Sequence, residues 1–137
     1  MIDILVIDDE HCVGDALSLV LGDHGYRVVV ALSGREGVEL AKKGKFAVAI
    51  TDLRLPDITG FDVLHYLKGN DPNCSVIVIT AHRTPEVVAE SKRLGALGVL
   101  SKPFLPTELL SLINEGLSKK LTCETEITTN GISETHT

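Results

Sequence analysis

Residues 4–10 read Ile4-Leu5-Val6-Ile7-Asp8-Asp9-Glu10. Four apolar residues run straight into three acids. The run is short and rich in β-branched side chains, which reads as a strand covered on both faces rather than one. The acids at its end repel one another, and in a folded chain that repulsion is expected to raise the pKa of at least one.

The same kind of run recurs at Val28–Val30, Ala47–Ile50, Val76–Ile79 and Leu97–Leu100. Helical patterns separate these strands. Val13, Ala16, Leu17 and Val20 share one helical face. Ser33-Gly34-Arg35-Glu36 has the form of a capping box. Thr59 with Asp62 suits the start of a third helix, and Thr84-Pro85-Glu86 puts a cap residue before a proline at the first helical position. Beyond Pro106, Leu109, Leu110, Ile113 and Leu117 form an apolar stripe. Alternating strands and helices predict an α/β fold: a five-stranded parallel sheet with helices on both faces. No internal repeat is visible. From Lys119 the chain turns polar and Thr-rich, which predicts one domain over 1–118 followed by a disordered tail or shortened linker over 119–137.

Composition narrows the function. The 137 residues are 44% hydrophobic, enough for one core, and only 4% aromatic with no Trp, so that core is aliphatic. A net charge of −6 argues against direct binding to nucleic acid or anionic lipid. No apolar run approaches the roughly 20 residues that span a bilayer, and Met1 leads into a strand rather than a basic leader. Three widely spaced cysteines, with no CxxC pair, point to reduced thiols and a cytoplasmic protein.

Ligands of open α/β sheets bind at the carboxyl ends of the strands. The residues there are Asp8 and Asp9 after the first strand, Asp52 after the third, Thr80 after the fourth and Lys102 after the fifth. Clustered carboxylates call for a cation, and an oxygen-only set favours a hard one such as Mg²⁺, which would keep positions open for phosphate oxygens. Lys102 and Thr80 would complete a phosphate cradle around Asp52, whose carboxylate can attack phosphorus to give an aspartyl phosphate.

Asp8-Asp9, the Asp52-Leu-Arg-Leu-Pro56 run, Thr80-Ala81 and Lys102-Pro103-Phe104, in this order, resemble the CheY-like receiver domain of bacterial two-component response regulators. The resemblance covers about residues 2–118. It implies a flavodoxin-like sheet of strand order 2-1-3-4-5 and a cis bond between Lys102 and Pro103. It implies Asp52 as phosphoacceptor, with Thr80 bonding the phosphoryl group and Lys102 pairing with it. Mg²⁺ would be held by Asp9, Asp52 and the backbone carbonyl of Arg54, with Asp8 acting largely through water. The implied partners are a sensor histidine kinase or phosphotransfer protein, and a second copy through the fourth helix, fifth strand and fifth helix. Such a domain is a regulator that catalyses only its own phosphorylation and dephosphorylation, not an enzyme of small substrates.

Plainer readings exist for single residues. Acids suit a helix start through the dipole, and Glu10 is assigned to the first helical turn. His11 lacks a second His or Cys at zinc-ligand spacing. His82 reads as a solvated loop residue, and Arg54 could face either the phosphoryl group or water. Among rival functions, a haloacid-dehalogenase-type phosphohydrolase requires DxDx[TV] after the first strand, where this chain has Asp8-Asp9-Glu10-His11-Cys12. A flavodoxin-type redox module needs a Ser/Thr/Gly-rich phosphate loop there. One departure stands out: receiver domains usually carry Tyr or Phe three residues before the lysine, and here that residue is Val99.

Overall fold

The computed structural model describes residues 1–129, with side chains through Lys119. Five strands and five helices alternate along the chain: β1 (Asp3–Ile7), α1 (His11–Asp23), β2 (Arg27–Ala31), α2 (Gly34–Lys43), β3 (Val48–Asp52), α3 (Gly60–Asn70), β4 (Ser75–Thr80), α4 (Pro85–Arg93), β5 (Gly98–Ser101) and α5 (Pro106–Thr129). Every strand pairing is parallel, and the sheet order is β2-β1-β3-β4-β5. This is the order that the resemblance implies.

Alternation within each strand divides the core in two. Leu5, Ile7, Ala49, Val76, Val78 and Val99 face one side and pack with Ala41, Val63, Leu64 and Leu67 of α2 and α3. Ile4, Val6, Val48, Ile50, Ile77 and Ile79 face the other, against Leu17 and Leu21 of α1 and Leu109 and Ile113 of α5. Both faces being covered is why β1, β3 and β4 read as unbroken apolar runs. The edge strand β2 is only partly covered, with Arg27 exposed and paired to Asp3 at 2.7 Å.

Three helix starts follow the caps read from the sequence. Ser33 Oγ accepts from the Glu36 N–H at 3.1 Å, and Glu36 Oε1 reaches back to the Leu32 N–H at 2.8 Å. Thr59 Oγ1 accepts from the Asp62 N–H, and Thr84 Oγ1 from the Val87 N–H. The end of the chain departs from expectation. No break occurs at Lys119: the backbone of α5 continues as helix to Thr129. Hydrogen-bonded turns, once begun, propagate at little cost even through Thr-rich sequence. The remainder of the expected tail, residues 130–137, lies outside the described residues.

Gly60 shows how tightly the end of β3 is held. A Cβ there would collide with the Asp52 carbonyl oxygen and lie 2.6 Å from Leu53 Cα, both backbone atoms that cannot swing aside. Its N–H donates to the Leu53 carbonyl at 2.8 Å. Gly69, near the other end of α3, has nothing within 4 Å of the same position. Thermal melts should separate the two. Gly60→Ala should cost about 1–3 kcal/mol through overpacking. Gly69→Ala should be neutral or gain up to about 1 kcal/mol through helix propensity.

Candidate functional site

Parallel register brings the strand ends to one edge. Ile7 lies opposite Ala31 and Thr51, Asp52 opposite Ile79, and Thr80 opposite Ser101. The chain leaves β1 toward β2 on one side, while β3 flanks it on the other. The crevice at such a switch point is where open α/β sheets bind ligands.

Lys102, directly after β5, reaches into this crevice. Its Nζ lies 2.8 Å from Asp8 Oδ2, 2.8 Å from Glu10 Oε1 and 2.9 Å from Asp52 Oδ2. The Lys102–Pro103 peptide is cis, and the Lys102 N–H donates to the Thr80 carbonyl at 2.8 Å. The crevice is graded in depth: the side chain of Asp8 is 0% exposed, Asp52 9%, Lys102 16% and Glu10 55%. Backbone groups orient the two deep carboxylates. The Glu10 N–H donates to Asp8 Oδ1 at 2.9 Å, and the Arg54 N–H to Asp52 Oδ1 at 3.2 Å.

Charge in this crevice is unbalanced, with three carboxylates facing one ammonium. Burial raises the pKa of Asp8, and the nearby Asp52 charge adds to the rise, against the attraction of the Lys102 ammonium and the hydrogen bond from the Glu10 N–H. The expected cause was repulsion; burial is the larger one. Burial alone would lower the pKa of Lys102, but the carboxylates outweigh it and the net shift is upward. The ammonium therefore keeps its proton across the physiological range.

Oxygens of Asp8, Glu10 and Asp52 all lie within 4.8 Å of one another. Asp8 Oδ2 is buried and, although 2.8 Å from the ammonium, has no aligned hydrogen bond. An oxygen-only donor set with a poorly satisfied buried carboxylate fits a small hard dication.

The sequence-derived residues are thus mostly together. Asp8, Asp52 and Lys102 are in contact. Thr80 is buried beside them at the end of β4, its Oγ1 accepting from the His82 N–H at 3.1 Å. Asp9 is exposed and outside the close carboxylate group. Glu10 corrects the reading from sequence: it is the N-cap residue of α1, not part of its first turn, and its side chain turns to Lys102 instead of capping. Arg54, His11 and His82 are exposed. Val99 is buried on β5, and Arg83 Nε donates to its carbonyl at 3.1 Å.

Sequence reasoning missed Asp57. Its carboxylate accepts from the N–H groups of Gly34 at 2.9 Å, Arg35 at 2.8 Å and Ile58 at 2.9 Å. This ties the loop that follows Asp52 to the start of α2. The only signal was an acid after a proline, which reads as an ordinary turn.

Comparison with known proteins agrees with this geometry. The family model described as "Response regulator receiver domain" matches residues 4–114. A response regulator receiver protein of Anaeromyxobacter sp. (strain Fw109-5) is 35% identical over 108 residues, covering 79% of this chain and 45% of the relative. Sporulation initiation phosphotransferase F of Bacillus subtilis (strain 168) is 30% identical over 117 residues, covering 85% of this chain and 94% of the relative. The chain thus spans less than half of the first relative and nearly all of the second. Among solved structures, the beryllofluoride-activated NtrC4 receiver domain dimer superposes with a TM-score of 0.82 at 32% identity, covering 87% of this chain and 98% of that one. With its sheet order, its strand-end acids and lysine, and a family match over most of its length, this chain belongs to the response regulator receiver domains of two-component systems.

Proposed function

We propose that Asp52 is the phosphoacceptor, and that a divalent cation, Mg²⁺ by the chemistry of the donor set, is needed for transfer. The observation that carries this reading is the Lys102 ammonium held 2.9 Å from Asp52 Oδ2, beside the buried Asp8. A carboxylate oxygen of Asp52 attacks phosphorus. The bond from phosphorus to the donor's leaving group breaks, and the leaving group departs with the electron pair. For a phosphohistidine donor that group is an imidazole nitrogen; for acetyl phosphate it is acetate. Lys102 pairs with a phosphoryl oxygen, and the Thr80 hydroxyl, at the end of the neighbouring strand, donates to another. Asp8, Asp9, Asp52 and the Arg54 carbonyl would hold the metal, which supplies charge neutralisation at the equatorial oxygens. The haloacid-dehalogenase-type alternative has no support from the family match.

The donor in the cell is a sensor histidine kinase or a phosphotransfer protein. The domain works over 1–118 as a regulator rather than as an enzyme of small substrates, in the cytoplasm. The family's α4–β5–α5 face is the surface for homodimerisation, and a solved relative is described as a dimer. Among the described residues no helix is long and apolar enough to cross a membrane. The net charge of −6 disfavours direct nucleic-acid binding by this segment.

Intact mass after incubation with acetyl phosphate and Mg²⁺ should show one added phosphate. Asp52→Asn should lose most of it, and a chelator should have the same effect on the wild type. Labelling of Asp52→Asn at the wild-type level would overturn the assignment.

A second expectation concerns stability. The pKa of Asp8 is raised in the folded state, mainly by burial. Its ionised form therefore destabilises the fold above the folded pKa, and this cost disappears as pH falls toward the unfolded value. Asp8→Asn should raise the metal-free melting temperature at pH 7 by a few degrees, the scale of about 1 kcal/mol in a domain of this size. The gain should shrink on acidification. Saturating Mg²⁺ should stabilise the wild type by mass action, about 2.7 kcal/mol at a hundredfold excess over Kd, and the Asp8→Asn protein by less. A metal-free variant that melts below wild type at pH 7 would contradict this account.

A further inference from the structure

Glu10 occupies an N-cap position without acting as a cap. Its backbone is extended, at φ −86° and ψ 110°, and its side chain makes no capping hydrogen bond. That side chain instead crosses the crevice to Lys102, 92 positions away in sequence, at 2.8 Å. The same residue's N–H holds Asp8 Oδ1. Glu10 thus orients the deep acid through its main chain and engages the lysine through its side chain.

An ammonium has three N–H donors. Lys102 Nζ donates to Glu10 and Asp52, and the ammonium is ion-paired with Asp8 at 2.8 Å. A phosphoryl group arriving on Asp52 must take over one of these donors. Asp8 is wholly buried and Asp52 nearly so, so neither can turn into water. The Glu10 side chain is more than half exposed, and an ion pair of that kind is worth little. Glu10 is the partner that can leave, and it sits on the solvent side, where a donor enters.

We propose that Glu10 is a resident anionic competitor: its carboxylate occupies the Lys102 donor that a phosphoryl group must win, and so sets the affinity of the site for phosphoryl anions. The proposal rests on Asp52 being the phosphoacceptor. While Lys102 is paired with Glu10, a phosphoryl anion meets one carboxylate more and one available donor fewer. A phosphoryl group, with about two negative charges, outbids a single exposed carboxylate, so the competition sets a threshold rather than a block. Glu10 in this view positions the Lys102 ammonium and does not itself touch phosphorus.

The test uses the full chain at saturating Mg²⁺, as wild type, Glu10→Gln and Glu10→Asp. Gln keeps the shape and removes the charge; Asp restores the charge on a shorter arm. Initial rates of phosphate incorporation are measured against acetyl phosphate concentration, and beryllofluoride affinity is measured by NMR titration. Glu10→Gln should lower the KM for acetyl phosphate and tighten beryllofluoride binding by roughly two- to fivefold, the range of an exposed ion pair. Glu10→Asp should fall between Gln and wild type. In the absence of donor, the Lys102 ¹³Cε and ¹⁵Nζ signals should shift in Glu10→Gln, a change that a merely structural residue at the start of α1 would not produce. Unchanged or weakened beryllofluoride binding in Glu10→Gln, with Asp52→Asn still unlabelled, would overturn the role of Glu10 alone. Full labelling of Asp52→Asn would instead overturn the phosphoacceptor reading beneath it.

Discussion

The Lys102 ammonium holds the carboxylates of Asp8, Asp52 and Glu10 within 2.8–2.9 Å of one cationic centre. It joins the ends of β1, β3 and β5, three strands separated by most of the chain. Without a cation, Asp8 would be a buried charge facing another carboxylate, an arrangement that costs several kcal/mol. One ammonium against three acids relieves that cost without removing it, and the pKa of Asp8 stays raised, chiefly by burial and in smaller part by the Asp52 charge. The site is stable enough to fold and remains attractive to a further cation.

Everything around this contact limits movement. The strands β1, β3 and β4 are buried on both faces, so their ends are fixed by packing. Gly60 lets α3 begin directly against the Asp52 carbonyl. Asp57 ties the intervening loop to the start of α2 by three backbone N–H groups. Asp9, Glu10, Arg54 and His82 are exposed, at the mouth rather than the floor. The floor of the crevice is thus buried and acidic, and its rim is polar and exposed.

The face away from the rim departs from the family's usual pattern. Val99 stands where receiver domains usually carry an aromatic ring, and it is buried with the aliphatic cluster shared by α2 and α3. A branched aliphatic side chain has few rotamers and covers little surface. The Arg83 bond to the Val99 carbonyl gives the loop after β4 a direct hold on β5.

Much of this was legible in the sequence, because each reading rested on local pattern. Short β-branched runs gave strands, and Ser33, Thr59 and Thr84 marked helix starts by chemistry that acts within four residues. Asp8, Asp52, Thr80 and Lys102 stood out because each ends a strand, and parallel strands place their ends together. The sequence alone determined the alternation of elements and the residues offered to one edge. Which of them meet depends on how the helices cross the sheet. Glu10 looks like helix-turn chemistry until α1 leaves β1 at an angle that turns its side chain across the crevice. Asp57 looks like a turn residue until α2 lies beside it. The helix through Thr129 was hidden by polar composition, because propagation of a helix already anchored by Leu109 and Ile113 outweighs weak local preference. Local pattern acts over a few residues along the chain, whereas ion pairs and long-range hydrogen bonds act through space, and their partners are assigned only when the sheet has closed the distance.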